Sequence, residues 1–343
     1  MEQTSKNDQN VRALLRVEGL SAGFDVEGRL LRAVDEVSFE VLSKKTLGIV
    51  GESGCGKSVT AHSIMQLLPR PSGKILSGKI LYQGKDLLLG TEEDMHAIRG
   101  SEIGMVFQEP LAALNPVRRV GDQIEEVLRT HAMGNKAERR EKALAMMKRV
   151  GIPAAEQRMR EYPHQLSGGM RQRIVIAMAL ICHPKLLIAD EPTTALDVTT
   201  QAQILDLLSE LKDSFSMSMI LITHDLGVIA NTCDEVAVMY AGRIVEKATV
   251  GQLFKRPLHR YTQGLLKSVP RIDSIPKSIL PTIPGRVPSL DELPVGARFA
   301  PRSDHPEIEN YLASEAYGSV RPELVEAEPG HWVEDCKYVR NNG

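Results

Sequence analysis

The stretch GESGCGKS, residues 51 to 58, constrains the fold of this chain more than any other. It fits the pattern G-x-x-x-x-G-K-[ST] at every fixed position. The apolar run TLGIV leads into it, and after it Ala61, Ile64, Met65 and Leu68 recur at helical spacing. A strand passing through glycines into a helix start turns backbone N–H groups toward one point and adds the positive helix end, which together cradle phosphate. Gly51, Glu52, Ser53, Gly54, Cys55 and Gly56 would line the loop. Lys57 would reach the β- and γ-phosphates of a nucleotide, and Ser58 would bind Mg²⁺. A helix N-terminus lowers a thiol pKa, so Cys55 is expected to be alkylated readily unless bound nucleotide shields it; an inert small residue is the alternative.

Such a loop needs an acidic element for the metal. LLIADE supplies one: four apolar residues of a buried strand, then Asp190 to hold Mg²⁺ and Glu191 to accept a proton from the attacking water. MILITH ends another apolar strand on His224, where α/β proteins place ligands; it could contact the γ-phosphate, although a lone histidine is more often structural. Gln108 follows the apolar MVF and could orient a water or ligate a metal; taken alone, an exposed glutamine is the default reading. LSGGMRQR, residues 166 to 173, is a second glycine-rich helix start, and by itself suggests only close packing.

The 343 residues suffice for a large domain with an appendage, or for two domains. Basic and acidic side chains balance at 42 and 44, which argues against a dedicated nucleic-acid binder. MEQTSKNDQNVR has no apolar core, so a signal peptide is not expected. The longest strongly apolar stretch, residues 174 to 182, falls short of the ~20 residues a membrane span needs. Cys55, Cys182, Cys233 and Cys336 stand far apart, consistent with a reducing compartment.

Residues 12 to 50 read as strands, and KILSGKILYQGKDL as strands with glycine turns. Helices are expected from about 110 to 165, where Val120, Ile124 and Val127 share a face, as do Ala143, Met147 and Val150. VAVMYAGRIVEKA reads as a hairpin around Ala241-Gly242. Beyond about residue 256, prolines from Pro257 through Pro270 and Pro276 to Pro301 indicate an extended segment, and 266–343 reads as a separate, locally acidic C-terminal region.

In this order the motifs resemble those of ABC transporter ATP-binding subunits. GESGCGKS resembles Walker A, Gln108 the Q-loop, LSGGM the ABC signature, LLIADE Walker B, ALD (195 to 197) the D-loop and His224 the H-switch. The resemblance covers roughly residues 12 to 265. It implies an α/β fold: a RecA-like P-loop NTPase core with an antiparallel β subdomain and an inserted helical subdomain, followed by the small Pro-rich C-terminal region. It further implies ATP and Mg²⁺ as ligands and two domains stacked head to tail. Ser167, Gly168 and Gly169 would then bind the partner's ATP, Phe24 would stack on adenine, and Asp197 would lie at the subunit interface.

FQEPLAALNPVRRVGDQIEEVL, LLKSVPRID and IPGRVPSLDELPVGARFAPR resemble the oligopeptide and dipeptide importer branch, where Met170 in the signature is also common. That branch implies a peripheral protein on the cytoplasmic face of the membrane, energising peptide uptake. Its partners would be a second ATPase subunit (a paralogue, or an identical copy), two permease subunits and, indirectly, an extracellular substrate-binding protein; no nucleic acid is implied. Nickel or glutathione is an alternative cargo. Many relatives hold an iron–sulfur cluster around G-x-x-F-x-P-R, but Ala297 and Ser303 stand at two cysteine places, so no cluster is expected. A soluble ABC ATPase of translation or DNA repair fits less well, lacking the importer-like tail. A non-enzymatic subunit conflicts with intact Lys57, Asp190, Glu191 and His224, and a P-loop kinase leaves LSGGM, ALD and His224 without a role.

Overall fold

A computed structural model describes residues 13–194, 196–269 and 281–341, the Leu111 side chain apart. The polar N-terminal stretch, Ala195 of ALD, and Pro270 and Pro276 of the proline series lie outside the described residues. In chain order the strands are β1 (Ala13–Val26), β2 (Arg29–Leu42), β3 (Thr46–Val50), β4 (Gly73–Tyr82), β5 (Lys85–Asp86), β6 (Ile103–Val106), β7 (Leu186–Asp190), β8 (Ser218–Thr223), β9 (Glu235–Tyr240), β10 (Arg243–Thr249), β11 (Leu324–Glu328) and β12 (His331–Glu334). The chain divides into two compact units, one made of residues up to Arg16, Glu40–Thr46 and Ile80–Ile220, the other of Val17–Phe39, Leu47–Lys79 and everything from Leu221 on. A four-stranded sheet of order β2-β1-β4-β5 is built from the glycine-punctuated N-terminal strands. Glu27 and Gly28, both at positive φ, turn β1 into β2.

In the first unit β6 and β7 pair in parallel, Ile103 opposite Leu186 and Val106 opposite Ala189. Every residue of both strands is buried, as expected where helices cover both faces of a parallel sheet. Four longer helices, Val120–Thr130, Lys136–Arg149, Gly168–Leu180 and Val198–Phe215, belong to this unit. The sequence sets their starts. Asn135 Oδ1 accepts from the N–H of Ala137 and Glu138, and the Asn135 N–H donates in turn to Glu138 Oε2, a capping box of about 1 kcal/mol. One detail differs from the sequence pattern. Val120 and Ile124 are buried, but Leu128 rather than Val127 completes the inner face, because a 3.6-residue turn carries the fourth position on inward.

In the second unit the strand order is β11-β12-β10-β9-β3. β3 runs parallel to β9, with Val50 opposite Val238. β9 and β10 form the expected hairpin, and Ala241 and Gly242 both take positive φ, as a two-residue turn between twisted strands requires. β12 then pairs antiparallel with β10, placing Val333 opposite Glu246. One apolar core joins Val50, Val236 and Val238 to Tyr261, Phe299, Tyr311 and Val339, so residues on both sides of position 266 pack together. Tyr240, Tyr261 and Phe299 make its aromatic centre, with ring centroids 4.7 to 5.4 Å apart.

Two buried polar clusters brace this unit. Asp35 on β2 receives Arg298 at 2.7 Å and Arg243 at 2.9 Å on one carboxylate oxygen, and Arg32 at 2.7 Å and Arg321 at 3.2 Å on the other. Burial pushes the Asp35 carboxyl up, but the guanidiniums of Arg32, Arg298 and Arg243 outweigh it and hold the pKa well below the usual range. Glu246 on β10 accepts from the backbone N–H groups of Leu258 and His259, and its carboxylate lies 2.7 Å from Nε2 of the buried His331.

Candidate functional site

The glycine loop sits where sequence placed it, between β3 and the helix Lys57–Ile64. Glycine is required at two points for steric reasons. A Cβ on Gly51 would lie 2.1 Å from the Met239 carbonyl oxygen, and one on Gly56, at φ 102°, would lie 2.6 Å from that of Ala33. Ser53 and Gly54 are exposed at the tip. Lys57, only 4% exposed, donates from Nζ to the carbonyls of Gly51 at 2.8 Å and Glu52 at 3.0 Å. The ammonium is thus folded back under the loop, its position set by the backbone that would cradle phosphate. Ser58 is the next residue of the helix.

Cys55 corrects an expectation. It is fully buried, its Sγ lies 4.0 Å from Lys57 Nζ, and its pKa is raised rather than lowered. Burial disfavours the thiolate by more than the neighbouring ammonium favours it. The sulfur occupies the underside of the loop, where the helix N-terminus cannot offset lost hydration.

Asp190 is the last residue of β7 and is 2% exposed. Glu191 follows at φ 43°, a left-handed conformation that non-glycine residues adopt rarely and often at functional positions. Its Oε2 accepts from Gln108 Nε2 at 3.2 Å and from Thr194 Oγ1 at 2.9 Å. Two residues singled out in the sequence are therefore brought together, and a third, Thr194, joins them without a sequence signal. Gln108 is exposed just beyond β6, consistent with a functional as well as a bland role.

In the signature, Ser167 caps the helix Gly168–Leu180, its Oγ accepting from the Met170 N–H at 3.3 Å. Ser167 and Gly168 are exposed and Gly169 is half-buried. A Cβ on Gly169 would come within 2.8 Å of Thr200 Cγ2, whereas one on Gly168 would meet only Leu196 at 3.6 Å. Gly169 is thus needed for packing against the helix that Asp197 caps through the Thr200 N–H at 3.0 Å; Gly168 is not. His224 is exposed immediately after β8, and Phe24 is half-buried near the end of β1. Lys57, Ser58, His224 and Phe24 belong to one compact unit; Gln108, Asp190, Glu191 and the signature belong to the other.

The ABC transporter family matches residues 34–194, and the oligopeptide/dipeptide transporter C-terminal region matches residues 245–307. The chain is 51% identical over 321 residues to a probable peptide ABC transporter ATP-binding protein of Sinorhizobium fredii, covering 93% of each. It is 51% identical over 331 residues to the oligopeptide transport ATP-binding protein OppD of Bacillus subtilis, covering 96% of this chain and 89% of that one. Among solved structures, a dimeric ATP-binding cassette in a post-hydrolysis state with ADP and Pi superposes with a TM-score of 0.62 at 26% identity, covering 69% of this chain and 98% of that chain. The chain belongs to the ABC transporter ATP-binding family, whose members are ATPases of the P-loop NTPase fold. Its place within the family is the oligopeptide/dipeptide branch, because the C-terminal match and the curated relatives agree.

Proposed function

We propose that this chain hydrolyses ATP to energise peptide uptake through separate permease subunits. The observation that carries the hydrolytic part is Glu191, which follows a buried strand and has one carboxylate oxygen fixed by Gln108 and Thr194. A carboxylate held in this way can take a proton from a water attacking in line, giving ADP and phosphate from ATP and water. Lys57 would neutralise charge on the β- and γ-phosphates, and backbone N–H groups from Gly51 to Gly56 would cradle them. His224 would meet the γ-phosphate, and Phe24 the adenine. Ser58, Gln108 and Asp190 offer the hard oxygen donors that suit Mg²⁺. Mg²⁺, when bound, supplies positive charge to the phosphates.

The exposed Ser167 and Gly168, with Gly169, form a helix start suited to a partner's γ-phosphate. Two ATP sites would then be completed only when two cassettes close, and the partner is a second ATPase subunit, a paralogue or an identical copy. Residues 12–265 would form the nucleotide-binding domain, with its helical part at about 110–165, and 266–343 the C-terminal region. No helix among the described residues is long and apolar enough to cross a membrane, which suits a peripheral subunit on the cytoplasmic face beside two permeases and, indirectly, an extracellular binding protein. Peptide cargo is supported by the relatives named for peptide, oligopeptide and dipeptide transport. In the tail Ser303 Oγ donates to the Tyr338 carbonyl at 2.6 Å and Ala297 is fully buried, a poor donor set for an iron–sulfur cluster.

The test is uptake of labelled di- and oligopeptides by cells carrying the parent or the Glu191→Gln chain, with nickel and glutathione measured alongside. Peptide uptake should stop in the variant. Unchanged peptide uptake with lost nickel or glutathione uptake would reassign the cargo.

A further inference from the structure

Among the described residues, Arg302 of the C-terminal region reaches the phosphate loop. Arg302, in the ARFAPR stretch and 7% exposed, forks onto the Glu52 carboxylate, with Nη1 to Oε2 at 2.6 Å and Nη2 to Oε1 at 3.1 Å. The guanidinium is itself held by the tail: Nε donates to the Pro284 carbonyl at 2.7 Å and Nη2 to that of Ile283 at 3.3 Å. Its plane lies near the Tyr240 ring, 5.7 Å from the centroid. The buried Tyr261, also from the C-terminal half, accepts the Glu52 N–H on its hydroxyl at 2.8 Å. Glu52 is thus anchored three ways, since its carbonyl also accepts from Lys57 Nζ.

A carboxylate inside a loop that must receive a polyanion is an electrostatic liability. At short range and partial burial, its repulsion of a phosphate is far stronger than in bulk water. Pairing with a guanidinium removes that charge, and the planar fork fixes its direction as an ammonium would not. The loop also carries two glycines at positive φ, Gly54 and Gly56, so its backbone is costly to order. Anchors at Glu52 set that order before ligand arrives, which improves affinity by preorganisation.

We infer that Arg302 is a positioning residue for nucleotide binding, through which the C-terminal region neutralises and orders the phosphate loop at Glu52. This rests on the reading of residues 51–58 as the ATP site. The fork gives the tail arginine a task independent of any cluster.

Isothermal titration of the full-length chain with Mg-ATP tests it, with melting temperatures recorded for each variant. Arg302→Gln leaves Glu52 charged and unpaired, and should raise Kd about tenfold, the equivalent of about 1.4 kcal/mol. Adding Glu52→Gln removes the unpaired charge and should bring Kd back to within about threefold of the parent, a coupling that distant sites do not show. A Kd unchanged in Arg302→Gln overturns the inference. So does a raised Kd that Glu52→Gln fails to relieve, because that is general damage to the fold. If Arg302→Gln does not fold, Arg302→Lys replaces it, with a several-fold rise in Kd, relieved by Glu52→Gln, as the expected result. Lys57→Ala separates the two readings. If it loses ATP while Arg302→Gln does not, only the role of Arg302 fails; if it binds ATP like the parent, the site reading fails and the role of Arg302 with it.

Discussion

Gln108 Nε2 donates to Glu191 Oε2 at 3.2 Å, across 83 residues of sequence, and the same oxygen accepts from Thr194 Oγ1 at 2.9 Å. One carboxylate oxygen is therefore tethered from two sides, in a residue whose own backbone is left-handed. The pair connects the end of β6 to the end of β7, two neighbouring parallel strands. A glutamine there can sense the carboxylate without adding charge.

Glu191→Gln should keep ATP binding and lose hydrolysis by about 10² to 10⁴, the usual contribution of a general base, or roughly 3 to 5 kcal/mol. Thr194→Val keeps the shape and removes one tether. A hydrogen bond to a charged group contributes about 1.5 to 3 kcal/mol, so kcat should fall at least about tenfold with KM for ATP unchanged. Steady-state ATPase kinetics on the assembled complex separate the two; an unaltered kcat in Thr194→Val would remove it from the site.

Gly168 separates folding from function in the signature. Its added Cβ would meet only Leu196 at ordinary contact distance, and an acidic side chain is tolerated at a helix start. Gly168→Asp should therefore leave the melting temperature of the isolated chain unchanged while abolishing ATPase in the paired complex by repelling the partner's γ-phosphate. Gly169→Val, 2.8 Å from Thr200 at its Cβ, should lower the melting temperature as well. Full ATPase in Gly168→Asp would argue that this face meets no nucleotide.

The Asp35 cluster gives an acid-dependent stability with a definite sign. The folded pKa is depressed, so the stabilisation is fully present above the ordinary carboxylate pKa, about 3.9, and is lost as pH falls toward the folded value. Asp35→Asn should be less stable than the parent at neutral pH and should show a shallower loss between about pH 5 and pH 2. Asp35→Ala leaves Arg243 and Arg298 buried without their counter-charge, a change that typically costs about 3 to 5 kcal/mol. Urea titrations at a series of pH values measure both. Parallel pH profiles for parent and Asp35→Asn would place the acid sensitivity elsewhere.

Cys55 should resist alkylation. Burial raises its pKa, and the loop must open before reagent reaches the sulfur. Maleimide labelling followed by mass spectrometry should modify the half-buried Cys233 before Cys55, with or without ATP. Rapid labelling of Cys55 that ATP prevents would restore the opposite view.

The strand–loop–helix around GESGCGKS, the buried strand before Asp190 and the hairpin at Ala241-Gly242 are all legible from sequence, because each is a local matter of turn chemistry and apolar period. Thr194 beside Glu191 was not, although only three residues away, because a threonine after a turn has no period or pattern that announces a hydrogen bond. The sign of the Cys55 shift is hidden for a related reason: chain position marks the helix end, whereas burial beneath the loop, which outweighs it, is a tertiary property and favours the inert alternative.

By itself the sequence determined which groups can do chemistry: a phosphate loop, two acids closing a strand, a histidine after another, and a second glycine-rich helix start. Only the tertiary structure decided which of them meet and what holds them. Arg302 reaches Glu52 across 250 residues, and Arg298 reaches Asp35 across 263. A hydrogen-bonded ion pair depends on distances of about 3 Å, and chain separation of that length carries no such information until β10 and β12 pair and the aromatic core closes around Tyr261 and Phe299.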